Sequence, residues 1–467
     1  MCGVVGVHAP GRDPRDLARA ALVALQHRGQ ESAGIATLLG RQVRIESDTG
    51  LVSHALSARA EQPGGRWAIG HTRYSTSGST GAANAQPFPV VHPRLGPAAL
   101  AYNGNAVNAA AVRRDLERRG ARFVTDVDTE VLVRLLERAD GDDWPTVLAA
   151  AFAGIAGAYS CLLLTATGVL ATRDPHGFRP LCLGRLPGDG WVVASESCAL
   201  GPIGARLVRE VAPGETVELD QAGCRTVHWA PAEPSSLCMF ELVYFARPDS
   251  LLSGCEVGGA RMRMGEELAR EAPAPADCVS GVPDSGVMAA VAYAASMDLP
   301  YVPALVRNPH LGRTFLHPEP SSREQQVRMK LSVLPRSLRG RRVVLLDDSL
   351  VRGTTAQVAV RLLREAGATE VHVRIASPAV THPCFMGVDI ATRRELVAAG
   401  QPVSAVAAEI GADSLAYLSL AGLRRAAMPA TADGLCSACF DGRYPVRVDG
   451  NGTLERVLDA DRFRAAS

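Results

Sequence analysis

Short apolar runs broken by Gly, Asn, Ser and Pro recur along this chain, and their surroundings divide it into two halves. In the first half, Val4–Val7, Ala68–Ile69, Ala99–Tyr102, Ser160–Leu164 and Trp191–Ser195 read as strands. Asp126–Glu137 carries a helical pattern. The second half alternates strand and helix. A strand ends in Ala276–Ser280, the loop Gly281–Gly286 follows, and a small-residue helix runs through Val287–Val291. Tyr301–Val306 reads as the next strand. Val343–Leu346 is short and rich in Val and Leu, as expected of a parallel strand buried on both faces. A helix with apolar Val358, Leu362 and Leu363 comes next, closed by Gly367, and Val371–Ser377 is the strand after it. Such repetition implies right-handed crossovers and a parallel sheet. Between Arg307 and Leu334, a long Gly- and Pro-containing connection separates two strands, and a connection of that length is usually a lid or a disordered insert. The Pro/Ser-rich stretch Ala230–Ser236 is the expected link, giving units at 2–232 and 233–445 and a short polar tail at 446–467.

Composition narrows the class. A chain of 467 residues with 47% hydrophobic content can fill two cores. A net charge of +1 leaves no electrostatic footprint for nucleic acid. No apolar stretch reaches the ~18 residues of a membrane span, and the start of the chain lacks the pattern of a secretory signal. Eleven cysteines, mostly scattered singly, suit a reduced cytoplasmic protein. Of 49 basic residues only Lys330 is lysine. A compact ammonium kept against that bias is a candidate for chemistry that a planar guanidinium cannot copy.

The apolar run Val343–Leu346 ends in Asp347 and Asp348, followed by Ser349-Leu350-Val351-Arg352-Gly353-Thr354-Thr355 and a helix. Two carboxylates at the carboxyl end of a strand sit where open α/β sheets bind ligands. Small residues and hydroxyls at a helix N-terminus suit a phosphate. The combination fits a sugar phosphate, with ribose hydroxyls held by the acids, directly or through Mg2+, and the 5-phosphate by the loop. It resembles the phosphoribosylpyrophosphate (PRPP) motif of type I phosphoribosyltransferases.

At the other end, Cys2 follows the initiator Met. Once Met1 is removed, Cys2 carries both a thiol and an α-amine of pKa about 7.7–8.0, nucleophile and base in one residue. Four stretches extend the pattern: Gly70–Gly78 with Arg73, Ala101–Asn105 with Asn103 and Gly104, Thr125–Glu130 with Asp128, and Arg173–Leu181. A side-chain amide beside a flexible backbone N–H is what an oxyanion hole requires. Together, over roughly Cys2 to Asp220, these resemble the N-terminal-nucleophile glutamine amidotransferases. The resemblance implies that Cys2 attacks the glutamine carboxamide and that Asn103 and Gly104 stabilise the oxyanion. Arg73 would hold the α-carboxylate and Asp128 the α-ammonium.

The two halves together resemble the amidophosphoribosyltransferase family, which opens purine synthesis. Tyr244–Ser250, Gly281–Ser285 and Gly312–Phe315 add to the match. The implied architecture is α/β and α+β: an N-terminal-nucleophile αββα sandwich followed by a type I phosphoribosyltransferase parallel-sheet domain. The implied chemistry hydrolyses glutamine at Cys2 and uses the ammonia to displace pyrophosphate from PRPP. Asp284 and Ser285 fall in the pyrophosphate loop, Lys330 at the end of the lid, and Mg2+ would be held by Ser285, Asp347 and Asp348. Cys238, Cys384, Cys436 and Cys439 match positions that carry a [4Fe–4S] cluster in one branch, although four thiolates suit zinc equally on geometry. Purine nucleotide inhibitors and a homotetramer are further expectations. Two departures stand out: no propeptide precedes Cys2, so that maturation would need only Met removal, and Pro309-His310 replaces a basic–aromatic pair in the lid. Two other readings are another glutamine-dependent amidotransferase acting on a sugar phosphate, which would lack the Asp-Asp loop, and a PRPP-binding regulator, which would need no Cys2.

Overall fold

The computed structural model describes residues 1–40, 42–56, 65–75, 81–231, 233–308, 327–390, 392–428 and 434–448. The expected lid motifs Pro309-His310 and Gly312–Phe315, and nearly all of the 446–467 tail, lie outside the described residues.

The first half is two antiparallel sheets packed face to face. One runs in the order Arg206–Glu210, Cys182–Arg185, Trp191–Ala194, Gly3–His8, Trp67–Arg73, Ser32–Leu39, Gln42–Thr49. The other runs Gly223–Trp229, Glu215–Asp220, Val169–Arg173, Gly157–Leu164, Gly96–Ala106, Phe88–His92. Val4, Ile69 and Val193 from the first sheet meet Ala99, Leu162 and Val217 from the second in one buried layer. The helix Pro14–Ala24 covers the outer face of the first sheet. Asp128–Leu136 and Trp144–Phe152 cover the outer face of the second. Strands central to such a sandwich are buried on both faces, so Gly3–His8 and Gly157–Leu164 show no polar alternation.

The second half centres on a parallel sheet in the order Cys278–Gly281, Arg342–Asp347, Glu370–Ile375, Ser414–Tyr417. The helices Val257–Glu271 and Gly286–Ser296 pack on one face, Thr354–Glu365 and Val403–Ile410 on the other. The start of this half is tied to its far end: Leu237–Cys238 pairs with Leu435–Cys436.

Two expectations change. Tyr301–Val306 is not a core strand. Tyr301 makes a single bridge to Val279, and only Leu305–Arg307 forms a strand, in an antiparallel ribbon with Leu331–Val333. Pro303 has no N–H to give a ladder, which ends the pairing early. The strand read as Ala99–Tyr102 is longer: it runs Gly96–Ala106 and takes in Asn103 and Gly104, paired to Ser160 and Tyr159.

Candidate active site

Cys2 sits just ahead of the strand Gly3–His8 and is buried. Its backbone N donates to Asn103 Oδ1 at 3.1 Å. Its Sγ lies 3.4 Å from the Tyr74 carbonyl, as donor, and accepts from the Tyr74 N–H at 3.5 Å. Burial pushes the thiol pKa up, while the chain's amino terminus, the Tyr74 backbone and Arg73 pull it back. Asn103 Nδ2 is buried without a hydrogen-bond partner. A buried amide that donates to nothing costs free energy in the resting protein and is ready for an incoming oxygen. Gly104 must be glycine, because a Cβ there would come 2.0 Å from the Ala158 carbonyl oxygen. Arg73 ends the strand Trp67–Arg73, buried and close enough to act on the Cys2 thiol. Asp128 begins the helix Asp128–Leu136 and accepts from Ala106 N at 3.2 Å, at the end of the Asn103 strand. In the Arg173–Leu181 turn, Asp174 accepts from the N–H groups of Tyr159, His176 and Phe178, and Arg173 donates to three carbonyls. These two residues build the turn and do not reach Cys2.

A cleft of about 440 Å³ lies between the halves. Its walls carry Asp284, Ser285, Lys330, Asp347, Asp348, Ser349, Arg352, Gly353, Thr354 and Thr355, so the structure brings together all the residues expected of a PRPP site. Asp347 ends its strand and Asp348 follows it, both buried. Burial first, then the charge of Asp348, raises the Asp347 pKa well above the carboxylate range. Burial raises Asp348 too, against the opposing bonds from Ser285 and Ser349 and the charge of Arg261. Two buried acids that repel each other beside a hydroxyl are a donor set that a divalent cation would relieve. Gly353, at φ +79°, turns the chain into the helix Thr354–Glu365. Arg352 donates to Glu395, with Nε at 2.7 Å, and Asp284 is ion-paired with Arg307. Lys330 ends the segment that begins at Val327, its carbonyl accepting from Asn308 N at 2.8 Å.

Several lining residues carried no assigned role in the sequence reading. Tyr74 touches the Cys2 thiol and also lines the cleft, where its hydroxyl donates to Asp389 Oδ2 at 3.3 Å. His27 comes from the first half, and Tyr244 and Arg261 from the second. Tyr74 and Tyr244 fall inside stretches that stood out in the sequence, which was the available signal.

The four cysteines at 238, 384, 436 and 439 also converge. All are free thiols. The Cys439 pKa is raised well above the usual thiol value by burial and then by Cys238, Cys384 and Cys436. Burial likewise pushes Cys238 up to about 11, against the pull of Arg179. The Cys439 carbonyl accepts from the N–H groups of Thr381 and His382, which anchors the Cys384 loop beside it. Among the described residues, no three His, Cys, Asp or Glu side chains are arranged to hold a single metal ion. Four soft thiols gathered in one nest, Cys238 and Cys436 buried and Cys384 and Cys439 half-buried, are nevertheless the donor chemistry of iron–sulfur or zinc.

A two-sheet sandwich with Cys2 at the head of its first strand, joined to a parallel sheet whose Asp347-Asp348 loop lines the cleft, defines a two-domain class, amidotransferase plus phosphoribosyltransferase. Residues 71–202 match the glutamine amidotransferase domain and 256–379 the phosphoribosyl transferase domain. The amidophosphoribosyltransferase of Synechococcus elongatus is 46% identical, over 96% of this chain and 92% of that one. That of Archaeoglobus fulgidus is 45% identical, over 96% and 99%. A solved structure of Bacillus subtilis glutamine PRPP amidotransferase, complexed with ADP and GMP, is similar with a TM-score of 0.90 and 41% identity, covering 98% of this chain and 100% of that one. The chain belongs to the amidophosphoribosyltransferase family, and it is an enzyme.

Proposed function

We propose that this chain makes 5-phosphoribosylamine, glutamate and pyrophosphate from PRPP, glutamine and water, the first step of de novo purine synthesis. The observation that carries this is the shared wall: Tyr74 touches the Cys2 thiol and lines the same cleft as Asp347–Thr355. Cys2 attacks the glutamine carbonyl carbon, its thiol proton passing to its own α-amine once Met1 is removed. Asn103 Nδ2 and the Gly104 N–H receive the oxyanion. Arg73 holds the glutamine carboxylate and Asp128 its ammonium. The proton returns from the amine to the leaving ammonia, and water then cleaves the thioester. Ammonia crosses past Tyr74 and attacks C1 of PRPP as the bond to pyrophosphate breaks. Asp347 and Asp348 hold the ribose hydroxyls, and Ser349, Arg352, Gly353, Thr354 and Thr355 the 5-phosphate. Asp284, Ser285 and Lys330 face the departing pyrophosphate.

Ser285, Asp347 and Asp348 would hold Mg2+, which neutralises charge on the pyrophosphate when bound. Cys238, Cys384, Cys436 and Cys439 would hold a [4Fe–4S] cluster of structural role, supported by their convergence from both ends of the second half. Eleven free cysteines support a reducing, cytoplasmic setting. Among the described residues no helix is long and apolar enough to cross a membrane. Purine nucleotides as feedback inhibitors and a homotetrameric assembly complete the reading, the first supported by the ADP and GMP bound to the Bacillus subtilis relative.

The test is product formation. The purified chain with glutamine, PRPP and Mg2+ releases pyrophosphate and glutamate in equal amounts. PRPP binding without pyrophosphate release would instead indicate a regulator, and transfer to a hexose phosphate another amidotransferase.

A further inference from the structure

Arg28, at the end of the turn Gln26–Arg28, has a side chain with no exposed surface. Its Nε donates to the Cys2 carbonyl oxygen at 2.9 Å. Its terminal nitrogens reach two buried carboxylates from opposite halves of the molecule. Nη1 donates to Glu196 of the first half. Glu241 of the second half accepts from Nη1 at 3.0 Å and from Nη2 at 2.8 Å. Glu241 stands in the turn Glu241–Phe245 among Phe240, Leu242 and Val243, where an unpaired carboxylate would be very costly. Its other neighbour is Arg179, 3.6 Å away. Glu196 reaches the opposite way, accepting from Arg247 N at 2.9 Å and Ser250 Oγ at 2.7 Å of the second half. Burial alone would lower the Arg28 pKa, but Glu241 and Glu196 together raise it above its ordinary value. The residue that carries the nucleophile therefore hangs on a buried ion cluster, and half of that cluster's negative charge comes from the other domain.

We propose that Glu241 is a positioning residue for Cys2: through Arg28 it fixes the Cys2 carbonyl, and so the direction of the thiol and backbone nitrogen. Glutamine hydrolysis in the first half then requires a side chain of the PRPP-binding half, whether or not PRPP is present. The inference rests on the reading of Cys2 as nucleophile. A neutral residue at 241 leaves Arg28 with Glu196 alone. The guanidinium then turns toward that remaining charge, and its Nε leaves the Cys2 carbonyl. Misplacement of a nucleophile by about 1 Å is enough to cost up to a hundredfold in rate.

The experiment compares wild type, Glu241→Gln and Glu241→Asp as full-length enzymes. In PRPP-free glutamine hydrolysis, Glu241→Gln is expected to lose at least about tenfold in kcat with KM for glutamine within about twofold, because Arg73 and Asp128 are untouched. Alkylation of Cys2 by iodoacetamide, read by mass spectrometry, slows in parallel. Glu241→Asp restores the charge and recovers part of both rates. Ammonia-dependent pyrophosphate release from PRPP stays within about twofold of wild type throughout. If Glu241→Gln does not fold, Glu241→Asp carries the test with the same split between kcat and KM. Wild-type hydrolysis and alkylation in a folded variant would overturn the proposal, as would equal loss of the glutamine and ammonia reactions. Undiminished hydrolysis by Cys2→Ala would instead remove the nucleophile assignment beneath it.

Discussion

A methyl group added at Gly104 would lie 2.0 Å from the Ala158 carbonyl oxygen, inside a strand pairing that cannot widen without moving the neighbouring Asn103. Gly104→Ala is therefore expected to cost about 1–3 kcal/mol of stability and at least about tenfold in glutamine hydrolysis. A thermal melt and a glutaminase assay check this; an unshifted melting curve with full activity would mean that the strand absorbs the methyl. Cys2, Asn103 and Gly104 were legible in the sequence because their chemistry is local: a cysteine beside the chain start, an amide beside a glycine. Arg28 and Glu241 were not. Glu241 is a lone charge in an apolar run and Arg28 one charge in the polar stretch Gln26–Glu31, and the meaning of each comes from a partner 213 residues away. Glu196 was hidden for the same reason, 168 residues from Arg28. Burial of a charge demands a partner, but sequence alone does not say which.

Among the elements, the strand Arg342–Asp347 and its helix Thr354–Glu365 follow the sequence pattern closely. A doubly buried strand and an amphipathic helix each have a strong period. Tyr301–Val306 misled because β-favouring residues there surround a proline that cannot continue the ladder. In the first half, Gln42–Thr49 and Arg206–Glu210 are mostly exposed strands at the sheet edges, with no apolar run to reveal them. The short segment ending in Lys330 was expected as part of a lid, and it lines the cleft beside Arg307 and Asp284. Lys330→Arg keeps the charge but changes its reach. It is expected to lower kcat for pyrophosphate displacement by about tenfold, roughly 1.4 kcal/mol of barrier, with PRPP-free glutamine hydrolysis unchanged. Wild-type turnover on ammonia and PRPP would show that the lone lysine is not a catalytic group.

At the scale of the whole molecule, two halves meet at one cleft, and the Pro/Ser-rich link falls between them. The two-part plan was readable from the change of texture near Ala230–Ser236. The shared cleft was not, because His27 and Tyr74 meet Tyr244 and Asp389 only once the halves are packed. The cysteine nest links the pairing of Cys238 and Cys436 to the Cys384 loop, so a cluster there would clamp both ends of the second half. Anaerobically purified protein is expected to be brown, with broad absorption at roughly 400 nm. Oxygen should bleach it and lower its melting temperature together; a colourless, fully active enzyme with stoichiometric zinc would reject iron.

The central claim is that ammonia is made at Cys2 and used at Asp347–Thr355. Cys2→Ala tests it most directly, by pyrophosphate release from PRPP with glutamine and then with ammonium as nitrogen donor. The account predicts that the glutamine reaction disappears while the ammonium reaction persists near the wild-type rate. Loss of both in a well-folded variant, or survival of the glutamine reaction, would contradict it.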